Sequence, residues 1–323
     1  MTQGRRPARG LTPGGPFSIV RRRLRGISRG IPTARWPPPP KGAPVSAQPN
    51  SPPRRRTVRD FLEMKRRGER IAVLTCYDVL FARILEEAGV DMILVGDSLG
   101  QVVLGHDSTL PVTVEAMIHH AGAVRRGAPG TFVVVDLPFL SYQISPEEAL
   151  RNAGRIMVEA GAEAVKLEGG DPRTLETVER LVAAGIPVMG HLGLTPQSVH
   201  ALGGYRVQGR EGEAAERLRQ EARALQEAGC FSLVLELIPG PLAEEISEAS
   251  AIPTIGIGAG VGCDGQVLVL PDALGMNPGF TPRFLKRFAD LHGPALEGAR
   301  AYVREVREGS YPGDDHTFPG GGG

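Results

Sequence analysis

The stretch Met92-Ile-Leu-Val-Gly-Asp97-Ser98-Leu-Gly100 decides how this chain is read. Four consecutive apolar residues with no polar alternation fit a short strand covered on both faces. Gly96 and Gly100 punctuate a tight turn behind it. The Asp97 carboxylate and the Ser98 hydroxyl are therefore expected at the C-terminal tip of a buried strand. In parallel α/β folds that edge is where ligands bind.

The same construction recurs on either side. Apolar runs occupy 71–74, 92–95, 132–135, 164–167, 186–189, 233–237, 253–257 and 267–270, giving eight candidate strands. Most gaps between them carry an amphipathic helix pattern. Leu80, Phe81, Ile84, Leu85 and Ala88 are expected on one inward face, and Leu175, Val178, Leu181 and Val182 on another. A long charged helix is expected from 211 to 229, with Leu218, Ala222 and Leu225 inward. Ser145-Pro146-Glu147-Glu148 opens a helix with a capping Ser, Pro at the first position and early acids. Gly89, Gly161, Gly185 and Gly229 stand where helices should stop. Eight strands alternating with helices predict an α/β chain folded as a (β/α)8 barrel, with an open doubly wound sheet as the alternative. The gap before the last strand is too short for a crossover helix, so a single helical turn is expected there.

Composition bounds the rest. At 323 residues and 41% hydrophobic content the chain suits one large globular domain or two small ones. No apolar run reaches the roughly 18 residues of a membrane helix. Cys76, Cys230 and Cys263 form no C-x-x-C pair and no even set, which fits buried thiols in a reducing compartment such as the cytoplasm.

Charge is divided unevenly. Residues 1–59 hold thirteen Arg, one Lys and no acid, for +14; the other 23 basic and 36 acidic residues leave −13. Residues 1–56, with Pro37-Pro-Pro-Pro40, read as an extension too poor in apolar residues to fold alone. Arg21-Arg22-Arg23 lacks the apolar stretch of an export signal. A transit peptide, a basic arm for nucleic acid, or sequence upstream of the true start are the other readings. Thr57 followed by Asp60 opens the first helix, so the folded domain is expected over 57–317, ahead of a Gly-rich tail at 318–323.

The strand ends carry the chemistry. Strand two ends in Asp97 and Ser98, and strand three in Asp136. Strand four places Lys166 and Glu168 two residues apart, hence on the same lumen face. Strand five leads into His191, and strand six carries Glu236 near its end. Four carboxylates on one rim repel one another and need compensation. Lys166 supplies one positive charge, and a divalent cation would supply two. Oxygen donors without Cys favour Mg²⁺ or a similarly hard ion. Such an ion can chelate a 2-oxo acid and favour its enolate, leaving Glu236, on a separate strand, free to act as base. The run Gly256-Ile-Gly258-Ala-Gly260 is not the G-x-G-x-x-G of a dinucleotide site and reads as a strand-end turn. Val102, Val103 and Leu104 form a hairpin flap or simply pack.

Val95-Gly-Asp97-Ser98-Leu-Gly100, Gly105-His-Asp-Ser-Thr-Leu-Pro-Val-Thr113, Val165-Lys-Leu-Glu-Gly-Gly170, Gly190-His-Leu-Gly-Leu-Thr-Pro-Gln197 and Gly256-Ile-Gly-Ala-Gly260, with the closing Tyr311-Pro-Gly-Asp-Asp-His316, resemble the ketopantoate hydroxymethyltransferase family over about residues 57–317. The resemblance implies a phosphoenolpyruvate-mutase-like barrel with one Mg²⁺ per subunit. It implies transfer of a one-carbon unit from 5,10-methylenetetrahydrofolate to 3-methyl-2-oxobutanoate through a metal-stabilised enolate, giving 2-dehydropantoate for pantothenate and coenzyme A synthesis. By motif, Asp97, Asp136 and Glu168 become metal residues, one of them through water. Asp97, Ser98, Asp136 and Lys166 contact the oxo acid, and Glu236 accepts the proton. The family also implies a homo-oligomer, commonly a decamer, with no membrane or nucleic-acid partner. Three other readings stay open: a Schiff-base aldolase using Lys166, another Mg²⁺-dependent 2-oxo acid lyase on the same barrel, and a nucleic-acid role for the basic arm.

Overall fold

The computed structural model describes Met1 and residues 55–318. Nearly all of the basic extension (1–56) and of the Gly-rich tail (318–323) falls outside those residues. Eight parallel strands close into a barrel in sequential order: β1 Ile71–Thr75, β2 Met92–Val95, β3 Phe132–Asp136, β4 Ala164–Glu168, β5 Val188–Gly193, β6 Ser232–Glu236, β7 Thr254–Ile257 and β8 Gly265–Leu268. The ring closes where Ile71 of β1 pairs with Gly265 of β8. The expected eight strands are all present. β5 starts two residues later than the apolar run and extends to Gly193, and β8 lies two residues earlier than expected.

Ten helices flank the barrel among the described residues: α1 Val58–Arg66, α2 Val79–Ala88, α3 Leu99–Val102, α4 Val114–Gly127, α5 Pro146–Ala160, α6 Pro172–Ala183, α7 Gly212–Glu227, α8 Gly240–Ala249, α9 Leu270–Ala273 and α10 His292–Glu308. Their ends follow local chemistry. The Thr57 and Asp60 side chains form a reciprocal capping box on α1. Ser145 caps α5 by accepting the Glu148 N–H, and Gly89 and Gly161 close α2 and α5 in the left-handed conformation. Leu218, Ala222 and Leu225 are the buried residues of α7, as its periodicity predicts. None of these helices is long and apolar enough to cross a membrane.

Two local expectations fail for identifiable reasons, and one open reading is decided. α2 buries Ala82 and Leu85, whereas Leu80 and Ile84 face outward. Small residues set that rotation: a Cβ on Gly127 of α4 would meet Ala82 Cβ at 2.7 Å, so the two helices touch through Ala82 and Gly127. No helical turn bridges β7 and β8; the segment 258–264 is irregular. It is held by Asp264, which accepts the Thr254 N–H at 2.8 Å and pairs with Lys65 at 2.7 Å. Residues 99–102 form the single turn α3 and no hairpin flap; Val102 packs against the core, while Val103 and Leu104 stay exposed beyond it.

Alternation along the strands divides the interior into two cores. In β2, Met92 and Leu94 join the cluster inside the barrel, while Ile93 and Val95 join the cluster between strands and helices. β3 and β4 follow suit: Phe132, Val134 and Ala164 point inward, and Val133, Val135, Val165 and Leu167 outward. Phe61 and Met64 of α1 belong to the inner cluster. Phe61 meets Phe132 edge-on at 5.1 Å, and Phe132 meets Phe231 at 5.9 Å. The helix thus closes the N-terminal end of the lumen with an aromatic plug. The remaining lumen positions, at the C-terminal strand ends, are polar.

Candidate active site

The same alternation that directs Phe132 and Val134 inward directs Asp136 inward, and the one that directs Ala164 inward carries Lys166 and Glu168 with it. Strand register then sets neighbours. Asp136 lies beside Lys166, Glu168 beside His191, and Gly193 beside Glu236. Asp97, Asp136, Lys166, Glu168 and His191 are all buried. Glu236 keeps some solvent access, with its side chain 16% exposed.

The Lys166 ammonium pairs with Asp136 Oδ1 at 2.9 Å and lies 3.3 Å from His191 Nδ1. Burial opposes its charge, but Asp136, Glu168 and Asp97 more than offset that and hold it above the ordinary lysine range. The His191 ring stands between two acids, with Nδ1 3.5 Å from Glu168 Oε1 and Nε2 3.2 Å from Glu236 Oε2. Burial and Lys166 disfavour an imidazolium there, yet Glu168 and Glu236 outweigh both and raise its pKa to about 9. Asp97 goes the other way for a carboxylate. Burial first, then Asp136 and Glu168, push its pKa well above the usual range. A buried group of carboxylates with one lysine is short of positive charge, and Asp97 registers the shortfall.

Backbone turns place the remaining parts. The Asp97 N–H donates to Asp136 Oδ2 at 3.0 Å, locking the ends of β2 and β3 together. Gly96 matters here for space: a Cβ on it would meet Ser98 Oγ at 2.8 Å and Asp136 Oδ2 at 3.5 Å. Ser98 Oγ lies 2.8 Å from the Tyr77 hydroxyl, at the head of α3. Gly193 has φ 94°, and a Cβ there would run into the carbonyl oxygen of Glu236, so the β5–β6 approach that positions Glu236 requires glycine.

All six site residues expected from the sequence, Asp97, Ser98, Asp136, Lys166, Glu168 and Glu236, therefore come to the C-terminal end of one lumen, with His191 at its centre. Sequence reasoning missed Gln197 and Tyr142. Gln197, in the short 3₁₀ turn Pro196–Ser198 after β5, donates from Nε2 to Asp97 Oδ2 at 2.8 Å, and its N–H donates to Glu168 Oε2 at 3.0 Å. The Tyr142 hydroxyl donates to Gln197 Oε1 at 2.9 Å and accepts the Glu168 N–H at 3.1 Å. Gln197 ends the motif Gly190–Gln197, which could have flagged it; Tyr142 carries no local signal.

A hard divalent ion fits the chemistry of this set. The donors are carboxylate oxygens, and Asp136 Oδ1 is buried with no hydrogen bond, its one close partner being the Lys166 ammonium. Among the described residues no three His, Cys, Asp or Glu side chains already close around a common point.

Comparison with known proteins identifies the family. The family model for ketopantoate hydroxymethyltransferase matches residues 55–314. The 3-methyl-2-oxobutanoate hydroxymethyltransferase of Syntrophus aciditrophicus is 56% identical over 255 residues, covering 79% of this chain and 93% of its own length. That of Carboxydothermus hydrogenoformans is 56% identical over 262 residues, 81% of this chain and 95% of its own. Among solved structures, phosphoenolpyruvate phosphomutase from Streptomyces platensis subsp. rosaceus superposes with a TM-score of 0.54 at 14% identity, over 82% of this chain and 92% of that one. 2,3-Dimethylmalate lyase, of the PEP mutase/isocitrate lyase superfamily, gives 0.51 at 18%, over 81% and 92%. These two likenesses establish the barrel type, and the sequence matches establish the rest: the chain is an enzyme that belongs to the ketopantoate hydroxymethyltransferase family.

Proposed function

We propose that this enzyme transfers a hydroxymethyl group to 3-methyl-2-oxobutanoate, with 5,10-methylenetetrahydrofolate as the one-carbon donor, and forms 2-dehydropantoate for pantothenate synthesis. The observation that carries the reading is the convergence of Asp97, Asp136, Lys166 and Glu168 on one end of the lumen with Glu236 across from them. Asp97, Asp136 and Glu168 would hold Mg²⁺. When bound, the ion supplies electrophilic polarisation of the oxo acid's keto group.

The protein's own groups then have separable tasks. The Lys166 ammonium, kept charged by three carboxylates, binds the anionic oxygens of the oxo acid. Ser98 Oγ, steadied by Tyr77, offers a hydroxyl beside Asp97. Glu236 takes the proton from C3, leaving the electron pair of that C–H bond in the enolate. His191, its Nε2 3.2 Å from Glu236 Oε2, steadies that carboxylate by charge. The carbon that lost the proton bonds to the donor's methylene carbon, both methylene–nitrogen bonds break, water supplies the hydroxyl, and the two nitrogens take up the proton held by Glu236 and the one left by the water. No nucleophilic side chain is needed. Lys166 is ill suited to a Schiff base, because its ion pair with Asp136 stabilises the unreactive ammonium.

A homo-oligomer is part of the same proposal. None of the seventeen residues of α10 is buried, and Leu296, Tyr302, Val303 and Val306 stand exposed on it. An apolar helix face of that kind fits contact with another subunit. The central test is direct: supply 3-methyl-2-oxobutanoate, methylenetetrahydrofolate and Mg²⁺, and identify the product by mass. Formation of 2-dehydropantoate is expected. Turnover of a phosphonate or a methylcitrate-like substrate instead would move the chain's reaction to another member of this barrel type.

A further inference from the structure

We infer that Gln197 is a positioning residue that aims the Asp97 and Glu168 carboxylates at the ion and the oxo acid, with Tyr142 fixing the direction of its amide. This rests on the metal-dependent function proposed for the site. The amide's orientation is settled by its neighbours. The Leu137 carbonyl, 2.9 Å away, can only accept, so it must face the Nε2 donor. Nε2 therefore also serves Asp97 Oδ2 at 2.8 Å, and Oε1 faces the Tyr142 hydroxyl at 2.9 Å and Gln143 Nε2 at 3.0 Å. Both donors and the acceptor of this buried amide are in use. Its own N–H adds a bond to Glu168 Oε2 at 3.0 Å.

One residue thus ties the ends of β2, β3 and β4 to the turn after β5. It contacts one oxygen of Asp97 and one of Glu168, leaving the second oxygen of each for other partners. Carboxylates that bind ions are ordinarily held by such outer partners, and losing one weakens metal binding about 10–100-fold. The Tyr142 hydroxyl completes the device. It accepts the Glu168 N–H at 3.1 Å while donating to Gln197, so the strand end and the amide are set together.

The test uses Mn²⁺ alone, titrated into the metal-free full-length protein, with free Mn²⁺ followed by its EPR signal. Gln197→Met keeps the length of the side chain and removes both donors and the acceptor. The expected result is Mn²⁺ affinity about 10–100-fold below that of the parent. A role in packing alone would lower the melting temperature and leave the affinity of the folded protein where it was. A folded Gln197→Met protein with the parent's Mn²⁺ affinity overturns the inference. If that variant does not fold, Tyr142→Phe decides: it removes one hydroxyl and is expected to weaken Mn²⁺ several-fold, and parent-like affinity overturns the inference. A parent protein that binds no Mn²⁺ defeats the metal reading itself, which is a different result from variants that match a binding parent.

Discussion

The two ends of the barrel lumen are built by the same strands in the same alternation and do opposite things. At the N-terminal end Phe61, Met64, Ile71, Val73, Phe132 and Phe231 pack without a charged side chain among them. At the C-terminal end Asp97, Asp136, Lys166, Glu168 and His191 are buried as deeply and form a strained charge balance. Phe132 and Asp136 are on one strand, four residues apart and facing the same way. The lower half contributes stability through burial, each large side chain by about 1.5–3 kcal/mol. The upper half contributes less, because at Asp97 burial and the neighbouring Asp136 and Glu168 outweigh the attraction of Lys166. Substitutions in the two halves should therefore separate activity from stability cleanly.

The largest separation is expected at Glu236. As a general base it should contribute about 10²–10⁴-fold to deprotonation. Glu236→Gln keeps the shape and the place beside His191 while removing the proton-accepting charge. Metal and 3-methyl-2-oxobutanoate should still bind, and solvent exchange of the C3 hydrogen should slow by that factor. Deuterium exchange followed by NMR needs no folate, so it isolates this step. Exchange at the parent rate would transfer the role of base to His191 or a water.

Phe61 is the counterpart at the other end. Phe61→Ala leaves a cavity between α1 and Phe132, and a loss of about 3–5 kcal/mol is expected. Denaturant melts measure it. Below the transition, C3–H exchange should stay within a few-fold of the parent, because the plug lies at the opposite end of the lumen from Glu236. A large drop in exchange from a still-folded variant would mean that the two halves are not independent.

Much of this plan was legible in the chain. Runs such as Phe132-Val-Val-Val-Asp136 announce a strand buried on both faces, and the spacing of Lys166 and Glu168 announces a shared lumen face. Local pattern fails where a contact is made by small residues or by distant ones. Leu80 and Ile84 look inward by periodicity, but the close approach of Ala82 to Gly127 turns the helix. The link between β7 and β8 looks helical by position, but the Asp264 contacts to Thr254 and Lys65 hold it in an irregular path. Gln197 bonds to Asp97 across 100 residues of sequence, and no periodicity reports a bond of that range.

A smaller effect is expected from Asp97 itself. Burial, with Asp136 and Glu168 next, raises its folded pKa above the unfolded 3.8. The folded state then holds this proton more tightly than the unfolded state. Its contribution to stability is full below pH 3.8 and is lost as pH rises through the raised folded value. At pH 7 in chelator the parent carries that penalty, and Asp97→Asn does not. The variant should be about 0.5–2 kcal/mol more stable there, with the gap closing as pH falls. Added Mg²⁺ should stabilise the parent more than the variant. An Asn variant no more stable than the parent at pH 7 without metal would contradict the charge shortage inferred for the upper half.

The smallest effect concerns the rim next to the plug. Arg55 pairs with Glu163 at 2.8 Å and donates to the Pro129 carbonyl, and Arg56 pairs with Asp91 at 2.6 Å. Both arginines are nearly half exposed, so each pair contributes about 0.2–1 kcal/mol. Neither acid is stranded without its arginine: Glu163 still pairs with Arg125 at 3.0 Å, and Asp91 still accepts the Ala72 N–H at 2.8 Å. A chain beginning at Arg55 should melt and turn over like the full one. One beginning at Thr57 should melt a few degrees lower, because about 1 kcal/mol is worth about 2–4 °C in a domain of this size. The difference between the two should shrink in 1 M salt, where exposed pairs are screened. Turnover should be the same for both, since the rim lies at the opposite end of the lumen from Glu236. Loss of folding in the chain beginning at Arg55 would show that residues 1–54 support the barrel, and loss of turnover alone would show that they reach its other end.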